Sequence, residues 1–484
     1  MQDSIYAYST LVSGAWHGDG REQFETVDPA SPATVVGRYT NSTAAEIARV
    51  IQVARRAQRE WSRVPGLERE ELINAYIAKL RSHSDALAEA ITREMGKPLA
   101  DSRGEVAYSL MEAEFMAGEA ARPIGQVLPS RRRDFRNLAL RRPRGVIAAV
   151  TPWNYPVLTP LRKVVPALVF GNAIVLKPSE FTPAAACIAA ELAHGILPDG
   201  LFGLVLGGAS TGRALVSHAD IDAVTFTGSV ATGRAVYELA AKSLAEVSLE
   251  LGGKNPIVLN DTDNLDFCLD EIVRGAMNNA GQRCTAVSRI LVKRTLVADV
   301  EAGLAQRLRS LKVGNGFDDT VRVGPMAMKS QFEKVMGMIA KGRADGASVV
   351  AGGQAVKPAG WETGYFIEPT LFCGVTPAMC IAREEIFGPV LSVLAYDSID
   401  QAIDIVNGVD YGLAASIFSN DQRMVQHFVD VVEAGMVHVN HQTATDPNMP
   451  FVGAKDSGVG ACSVGQSAAN FYTTEFAVYL RYAA

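Results

Sequence analysis

Residues 146–180 read VIAAVTPWNYPVLTPLRKVVPALVFGNAIVLKPSE. Two short apolar runs, Val146–Val150 and residues 173–176, enclose a segment of helical character. A strand, a helix and a second strand within about 30 residues make a βαβ unit. Its crossover is right-handed and lays the two strands parallel. The same rhythm continues through residues 203–206, Ala223–Thr227 and 247–251. A second series follows at residues 256–259, 289–292 and 390–394. The expected fold is therefore α/β, built on parallel sheets.

On the N-terminal side, the first third of the chain reads as mostly helical. Thr43-Ala-Ala-Glu46 has the form of a capping box, and Ile47, Val50, Ile51 and Ala54 follow at helical spacing. A second helical stretch runs through Leu72, Tyr76, Ile77 and Leu80 toward Met95, where Gly96-Lys97-Pro98 supplies a stop. Residues 125–144 differ: polar and basic residues alternate with Phe135, Leu138 and Leu140. That pattern suits an extended arm that pairs with another subunit.

Composition narrows the classes. At about 150 residues per domain, 484 residues suggest about three domains. A chain that is 48% hydrophobic and 20% charged has ample core material and is not disordered. With 46 basic and 52 acidic residues the net charge is −6, and the short cluster Arg131-Arg132-Arg133 is followed at once by Asp134. No nucleic-acid partner is expected from that balance. The opening residues lack a basic start followed by an apolar core, and no apolar run is long enough to cross a bilayer. Six cysteines without a C-x-x-C pair are too few for a disulfide scaffold. A reducing, cytoplasmic setting without a membrane partner is the expectation.

Several local patterns bear on chemistry. Gly208-Ala-Ser210-Thr-Gly212 matches the G-x-S-x-G nucleophile elbow, which would also need an acid and a histidine such as His218, His427, His438 or His441. A plain strand-to-helix turn explains it more simply. Phe226-Thr-Gly228-Ser229-Val-Ala-Thr-Gly233 has the glycine spacing of a phosphate loop, but Arg234-Ala235 replaces the Lys-Ser/Thr that binds nucleotide phosphate and magnesium. A pyrophosphate at a helix N-terminus fits better, since free N–H groups and the helix dipole both favour anions. In Lys177-Pro-Ser179-Glu180, an acid after the second strand can accept hydrogen bonds from an adenosine ribose. Glu180 would repel a 2′-phosphate, favouring NAD with NADP as the second option, and Lys177 blunts that preference.

Of the cysteines, Cys284 lies in the polar segment Asn278-Asn-Ala-Gly281-Gln-Arg283-Cys284-Thr285, where the adjacent arginine would lower a thiol pKa. Local context alone leaves a catalytic and a structural role equally open. His438 and His441 are three residues apart, and Asp446 does not complete a ligand set, so no metal site is expected.

Taken together, these motifs resemble the NAD(P)-dependent aldehyde dehydrogenase superfamily, with a semialdehyde dehydrogenase flavour. The marks are TPWNYP at 151–156, KPSEFTP at 177–183, FTGSVATG at 226–233, LELGGKNP at 249–256, GQRC at 281–284 and EEIFGPV at 384–390. The resemblance implies a Rossmann-like cofactor domain over residues 1–121 and 144–251, and a catalytic α/β domain over 252–464. It also implies an oligomerisation arm of 122–143 with 465–484, hence a homodimer or homotetramer. It implies that Cys284 attacks an aldehyde, that Asn154 stabilises the oxyanion, and that hydride loss to nicotinamide leaves a thioester. Glu250 would then activate water, with Lys163 in a proton relay. Thr151, Trp153, Lys177, Ser179, Glu180, Gly228, Ser229, Gly233, Glu385 and Phe387 correspond to cofactor positions.

For the substrate, Arg162, Arg283 and Tyr155 would face the aldehyde, and the arginines suit a short anionic tail such as that of succinic or 2-oxoglutaric semialdehyde. Glyceraldehyde-3-phosphate, lactaldehyde-type and aromatic aldehydes are the alternatives within the family. A serine hydrolase at Ser210 and a catalytically silent nucleotide-binding protein are the alternatives outside it. The chain departs from the family near its end, where Gly460-Ala461-Cys462 carries no auxiliary acid.

Overall fold

The computed structural model describes residues 5–18, 23–122 and 125–482. Parts of the expected cofactor domain (residues 1–4 and 19–22) and of the arm (123, 124, 483 and 484) lie outside the described residues.

The strand Val146–Val150 is the hub of an eight-stranded sheet. It pairs in parallel with Ala173–Lys177 on one side and Ala223–Thr227 on the other. Phe202–Leu204 continues beyond the former and Glu246–Glu250 beyond the latter, both parallel. The chain thus builds outward in one direction, then returns and builds in the other. A crevice opens at such a reversal, beyond the carboxyl ends of the strands. Thr151–Asn154, Lys177–Glu180, Thr227–Ser229 and Glu250–Gly252 all follow those carboxyl ends.

These central strands are almost wholly buried, as expected where helices cover both faces and the sequence shows continuous apolar runs. Their bounds match the expected ones to within one or two residues. Thr43 and Glu46 form the reciprocal capping box, opening a helix over Ala44–Trp61 that buries Ile47, Val50, Ile51 and Ala54. Such a cap stabilises by about 1 kcal/mol.

The second sheet has seven strands and its own apolar core. Asn255–Leu259, Val287–Lys293, Val390–Tyr396, Thr370–Cys373, Ala414–Phe418 and Met436–Val439 run parallel, with Ser348–Ala351 antiparallel at one edge. A third sheet is antiparallel: Phe135–Pro143 pairs with Gln126–Leu128 and, over its whole length, with Thr473–Arg481. The arm therefore finds its first partner within its own chain.

Three expectations need correction. The first forty residues are not helical: Tyr6–Tyr8, Gln23–Asp28 and Ser31–Thr40 form a small sheet, and Thr10–Val12 with Ala15–His17 extend the first large sheet. The stretch toward Met95 is two helices, Gly66–Arg81 and Ser84–Met95, separated at Ser82-His83. Finally, Gly458–Gly460, expected in the catalytic domain, pairs antiparallel with Glu246–Glu250 and so belongs to the first sheet. The last of these matters for the site.

Candidate active site

Between the two large sheets lies a cavity of about 450 Å³. Cys284, Glu250 and Asn154 all line it, having come from the second sheet's entry turn and from two carboxyl ends of the first.

Cys284 is positioned by a left-handed turn. Helix Leu265–Met277 ends, and Asn279, Ala280 and Gly281 follow with φ of 56°, 52° and 71°. At Gly281 a Cβ would lie 2.1 Å from the carbonyl oxygen of Gly388, so this position admits only glycine. The turn thereby abuts the EEIFGPV segment and delivers the thiol to the cavity. The Cys284 carbonyl accepts from Asn255 Nδ2 at 2.7 Å, which fixes the following residues. The expectation that arginine would lower this thiol is corrected: burial pushes it up to about 11, with Glu385 and Glu250 adding to the rise. Arg162 opposes that rise more than the sequence neighbour Arg283 does.

Asn154 is buried, and its Nδ2 donates to the carbonyl of Gln282 at 2.9 Å. An amide nitrogen has two hydrogens, so one is left for a second acceptor. Glu250 Oε2 accepts from Thr227 Oγ1 at 2.9 Å, and Oε1 accepts from the hydroxyl of Ser463. Lys163 Nζ lies 3.7 Å from Glu250 Oε2 and donates to Thr225 Oγ1 at 2.9 Å. Burial would raise the Glu250 carboxyl, but Lys163 and Arg162 together with the two hydroxyls hold it below the usual carboxylate range. Burial also lowers Lys163. Lys163 does not line the cavity; it reaches the site through Glu250.

Ser463 escaped the sequence reading, which looked for an acid near Cys462. It is fully buried, and the return of Gly458–Gly460 to the first sheet carries it to Glu250. Lys97, Glu105, Gln331 and Gln442 line the cavity too and were likewise missed. Lys97 was read only as part of a helix stop, and no motif marks Gln331 or Gln442.

The cofactor candidates fall into two groups. Trp153, Gly228, Ser229, Glu385 and Phe387 line the cavity. Trp153 meets Phe387 edge-on, with ring centroids 5.4 Å apart. Phe387 has φ of 60°, and Gln331 Nε2 donates to its carbonyl at 2.7 Å, so it is no ordinary core aromatic. Glu385 Oε1 accepts from the Gly253 N–H at 3.0 Å, and burial raises its carboxyl. Thr151, Lys177, Ser179 and Glu180 instead sit at or just beyond the carboxyl ends of the two central strands, where Lys177 Nζ donates to Glu180 Oε2 at 3.0 Å. Ser229 caps helix Val230–Ala240, its Oγ accepting from the Thr232 N–H. Gly233 lies inside that helix, where a Cβ would come within 2.5 Å of Leu251 Cδ2; its smallness lets helix and strand close on each other.

The two arginines behave differently. Arg162 makes a two-pronged ion pair with Glu112, at 2.8 and 2.7 Å, and lies over the Phe451 ring. Arg283 Nη2 donates to the Gly275 carbonyl at 2.7 Å, whereas its buried Nε has no hydrogen-bond partner among the described residues. Both line the cavity, as does Tyr155. Ser210 does not; it is exposed in the first turn of helix Ala209–Val216. His427 pairs with Asp400, and His438 and His441 face each other edge-on 5.0 Å apart. Among the described residues, no group of three or more His, Cys, Asp or Glu could hold a metal ion.

A thiol, a side-chain amide and a carboxylate thus line one cavity beside a crevice of the kind that binds dinucleotides. Such a site is that of an oxidoreductase working through a covalent cysteine intermediate. The chain belongs to the aldehyde dehydrogenase family, whose model matches residues 16–478.

Curated relatives agree along the full length. The alpha-ketoglutaric semialdehyde dehydrogenase of Bacillus subtilis (strain 168) is 34% identical over 98% of this chain and 98% of its own. The alpha-ketoglutarate semialdehyde dehydrogenase of Haloferax volcanii is 38% identical over 97% of this chain and 98% of its own. Among solved structures, betaine aldehyde dehydrogenase of Staphylococcus aureus in complex with NAD+ superposes with a TM-score of 0.95. It is 31% identical and covers 98% of this chain and 95% of its own. An NAD-dependent aldehyde dehydrogenase from Sinorhizobium meliloti has the same TM-score at 33% identity, with 99% and 95% covered. The hydrolase reading at Ser210 is set aside on these grounds.

Proposed function

We propose that this enzyme oxidises a short aldehyde bearing an anionic tail, with 2-oxoglutaric semialdehyde as the leading candidate and succinic semialdehyde next. The observation that carries the tail is Arg283: a guanidinium lining the cavity with a buried Nε left unpartnered. A buried donor without an acceptor is costly, by about 1–3 kcal/mol, and a substrate carboxylate would supply one. Arg162 is already neutralised by Glu112, so its part is to hold the wall and favour the ionised Glu250. The two full-length relatives named for alpha-ketoglutarate semialdehyde support the same choice.

NAD is the proposed cofactor. The residues present fit a dinucleotide: Thr151 Oγ1 is buried without a partner beyond the hub strand, and Ser229 stands at a helix N-terminus facing the cavity. Glu180 and Lys177 would hold the adenosine ribose, Gly228 and Ser229 the pyrophosphate, Glu385 the second ribose, with Phe387 and Trp153 flanking the ring. When bound, this group supplies the hydride acceptor.

The geometry supports the following steps for the protein's own residues. Cys284 gives up its thiol proton to solvent, Sγ adds as the thiolate to the carbonyl carbon, and the free hydrogen of Asn154 Nδ2 stabilises the oxygen as charge develops. After oxidation, Glu250 takes a proton from water as that water adds to the Cys284 thioester, and collapse releases the acid and the thiolate. Glu250 can accept that proton because it is held ionised. Lys163 would pass it onward.

We further propose a cytoplasmic homodimer or homotetramer, since all six cysteines are free thiols and the third sheet leaves apolar residues exposed. Among the described residues, no helix is long and apolar enough to cross a membrane.

A substrate panel tests the assignment, scored for NADH with NAD and NADPH with NADP. Semialdehydes with a terminal carboxylate should exceed propanal and benzaldehyde in kcat/KM, and Arg283→Gln should raise KM for the carboxylates alone by about 10-fold or more. Equal kcat/KM for neutral and carboxylated aldehydes would overturn the anionic tail.

A further inference from the structure

The cavity wall also holds an ion pair with no assigned part in the reaction. Lys97 and Glu105 are both buried, 2% and 4% exposed, and Lys97 Nζ donates to Glu105 Oε2 at 2.5 Å. Each partner also grips the segment that carries Asn154. Lys97 Nζ donates to the backbone carbonyl of Asn154 at 3.1 Å and lies 4.1 Å from the centre of the Tyr155 ring. Glu105 Oε1 accepts from the N–H groups of Val157 and Leu158, at 2.9 and 3.1 Å. Those amides begin helix Leu158–Val169 and would otherwise lack acceptors. From the other side, Asn279 Nδ2 donates to the same Asn154 carbonyl and to the Gln282 carbonyl, both at 3.2 Å. Asn154 Nδ2 also donates to Gln282. Two segments, 154–158 and 279–282, are thereby tied to each other and to the start of helix Leu99–Ala117.

We propose that Lys97 is a positioning residue for Asn154: with Glu105 as its counter-charge, it fixes the Asn154 backbone so that the side-chain amide meets the oxygen of an aldehyde under attack by Cys284. A substrate-anchoring role suits Lys97 poorly, because its charge is already matched by Glu105 and covered by the Tyr155 ring. Its effect passes instead through the one carbonyl it shares with Asn279. Oxyanion donors act only at short range and in one direction, and a misplacement of about 1 Å can cost on the order of 100-fold in rate. The inference rests on the reading of Asn154 as the oxyanion donor.

The test is a double-mutant cycle read by the single-turnover burst of NADH at saturating aldehyde and NAD, with KM measured alongside. Lys97→Gln should slow the burst by about 10- to 100-fold and leave aldehyde KM nearly unchanged. Because Lys97→Gln alone strands a buried carboxylate and can impair folding, Lys97→Gln with Glu105→Gln serves as the second variant. It keeps an acceptor for Val157 and Leu158 and should show the same slowing. In an Asn154→Ala background neither change should slow the burst by more than about 2-fold, since a donor already absent cannot be misplaced. Multiplicative losses in both backgrounds, or a rise in KM with an intact burst, would overturn the inference while leaving Asn154 as donor. An Asn154→Ala enzyme with an undiminished burst would overturn the donor reading, and the role of Lys97 with it.

Discussion

Cys284 is held under opposing influences. Burial and the carboxylates of Glu385 and Glu250 disfavour the thiolate, while Arg162 and Arg283 favour it, and the balance leaves the group at about 11. Only the thiolate is nucleophilic, and below its pKa the thiolate fraction rises about tenfold per pH unit. Alkylation of Cys284 by iodoacetamide in nucleotide-free enzyme should therefore accelerate by about tenfold per unit from pH 7 to pH 10. The rate is followed by mass spectrometry of the Cys284 peptide, and a plateau at or below pH 8.5 would contradict the environment described. In the sequence the polar segment around Cys284 left a catalytic and a structural role equally open, and the choice of this thiol came from the resemblance carried by GQRC at 281–284. Its pKa was not legible there. Neighbouring Arg283 suggested a lowered value, but the burial and the two carboxylates come from distant parts of the chain.

The same division holds for the elements. Strands such as Val146–Val150 and Ala223–Thr227 are buried on both faces, so their apolar runs read correctly from sequence alone. Tyr6–Tyr8 and Thr10–Val12 are three residues each, too short to show a period. The break at Ser82-His83 involves neither glycine nor proline, so the sequence offered no stop there. The turn over Asn279–Gly281 was seen only as a polar, glycine-containing stretch; its left-handed path and its closure on Gly388 are tertiary facts. Replacing Gly281 with alanine sets a Cβ against the Gly388 carbonyl and adds about 1–2 kcal/mol of left-handed strain. The turn must then shift, and Cys284 with it. Gly281→Ala should lower kcat by about 100-fold or more in the protein that stays folded by far-UV circular dichroism, and should melt earlier than left-handed strain alone would give, because the clash is with backbone. Unchanged kcat in a folded variant would show that the turn does not set the thiol.

At the scale of the molecule, the third sheet is the part left unfinished. Its outer strands, Gln126–Leu128 and Thr473–Arg481, each present an edge that pairs with no other strand among the described residues, and unpaired edges are templates for another chain. Val127 is 61% exposed, Leu128 43% and Tyr479 72%, apolar surface that water disfavours and a second copy of the chain would cover. The sequence marked this region as an arm because its apolar residues had no core to join, and it grouped residues 465–484 with it through family resemblance. Pairing within the chain accounts for Phe135–Pro143 but, among the described residues, leaves both edges open. Val127→Asp with Leu128→Asp places two charges on one edge at no cost to either large core. Sedimentation velocity should find the wild-type enzyme as a dimer or tetramer and the variant shifted toward smaller species. The variant should keep its far-UV spectrum, because both apolar cores lie elsewhere. A wild-type monomer at micromolar concentration would sink the assembly proposal outright. A variant that stays assembled would place the interface on some face other than this edge.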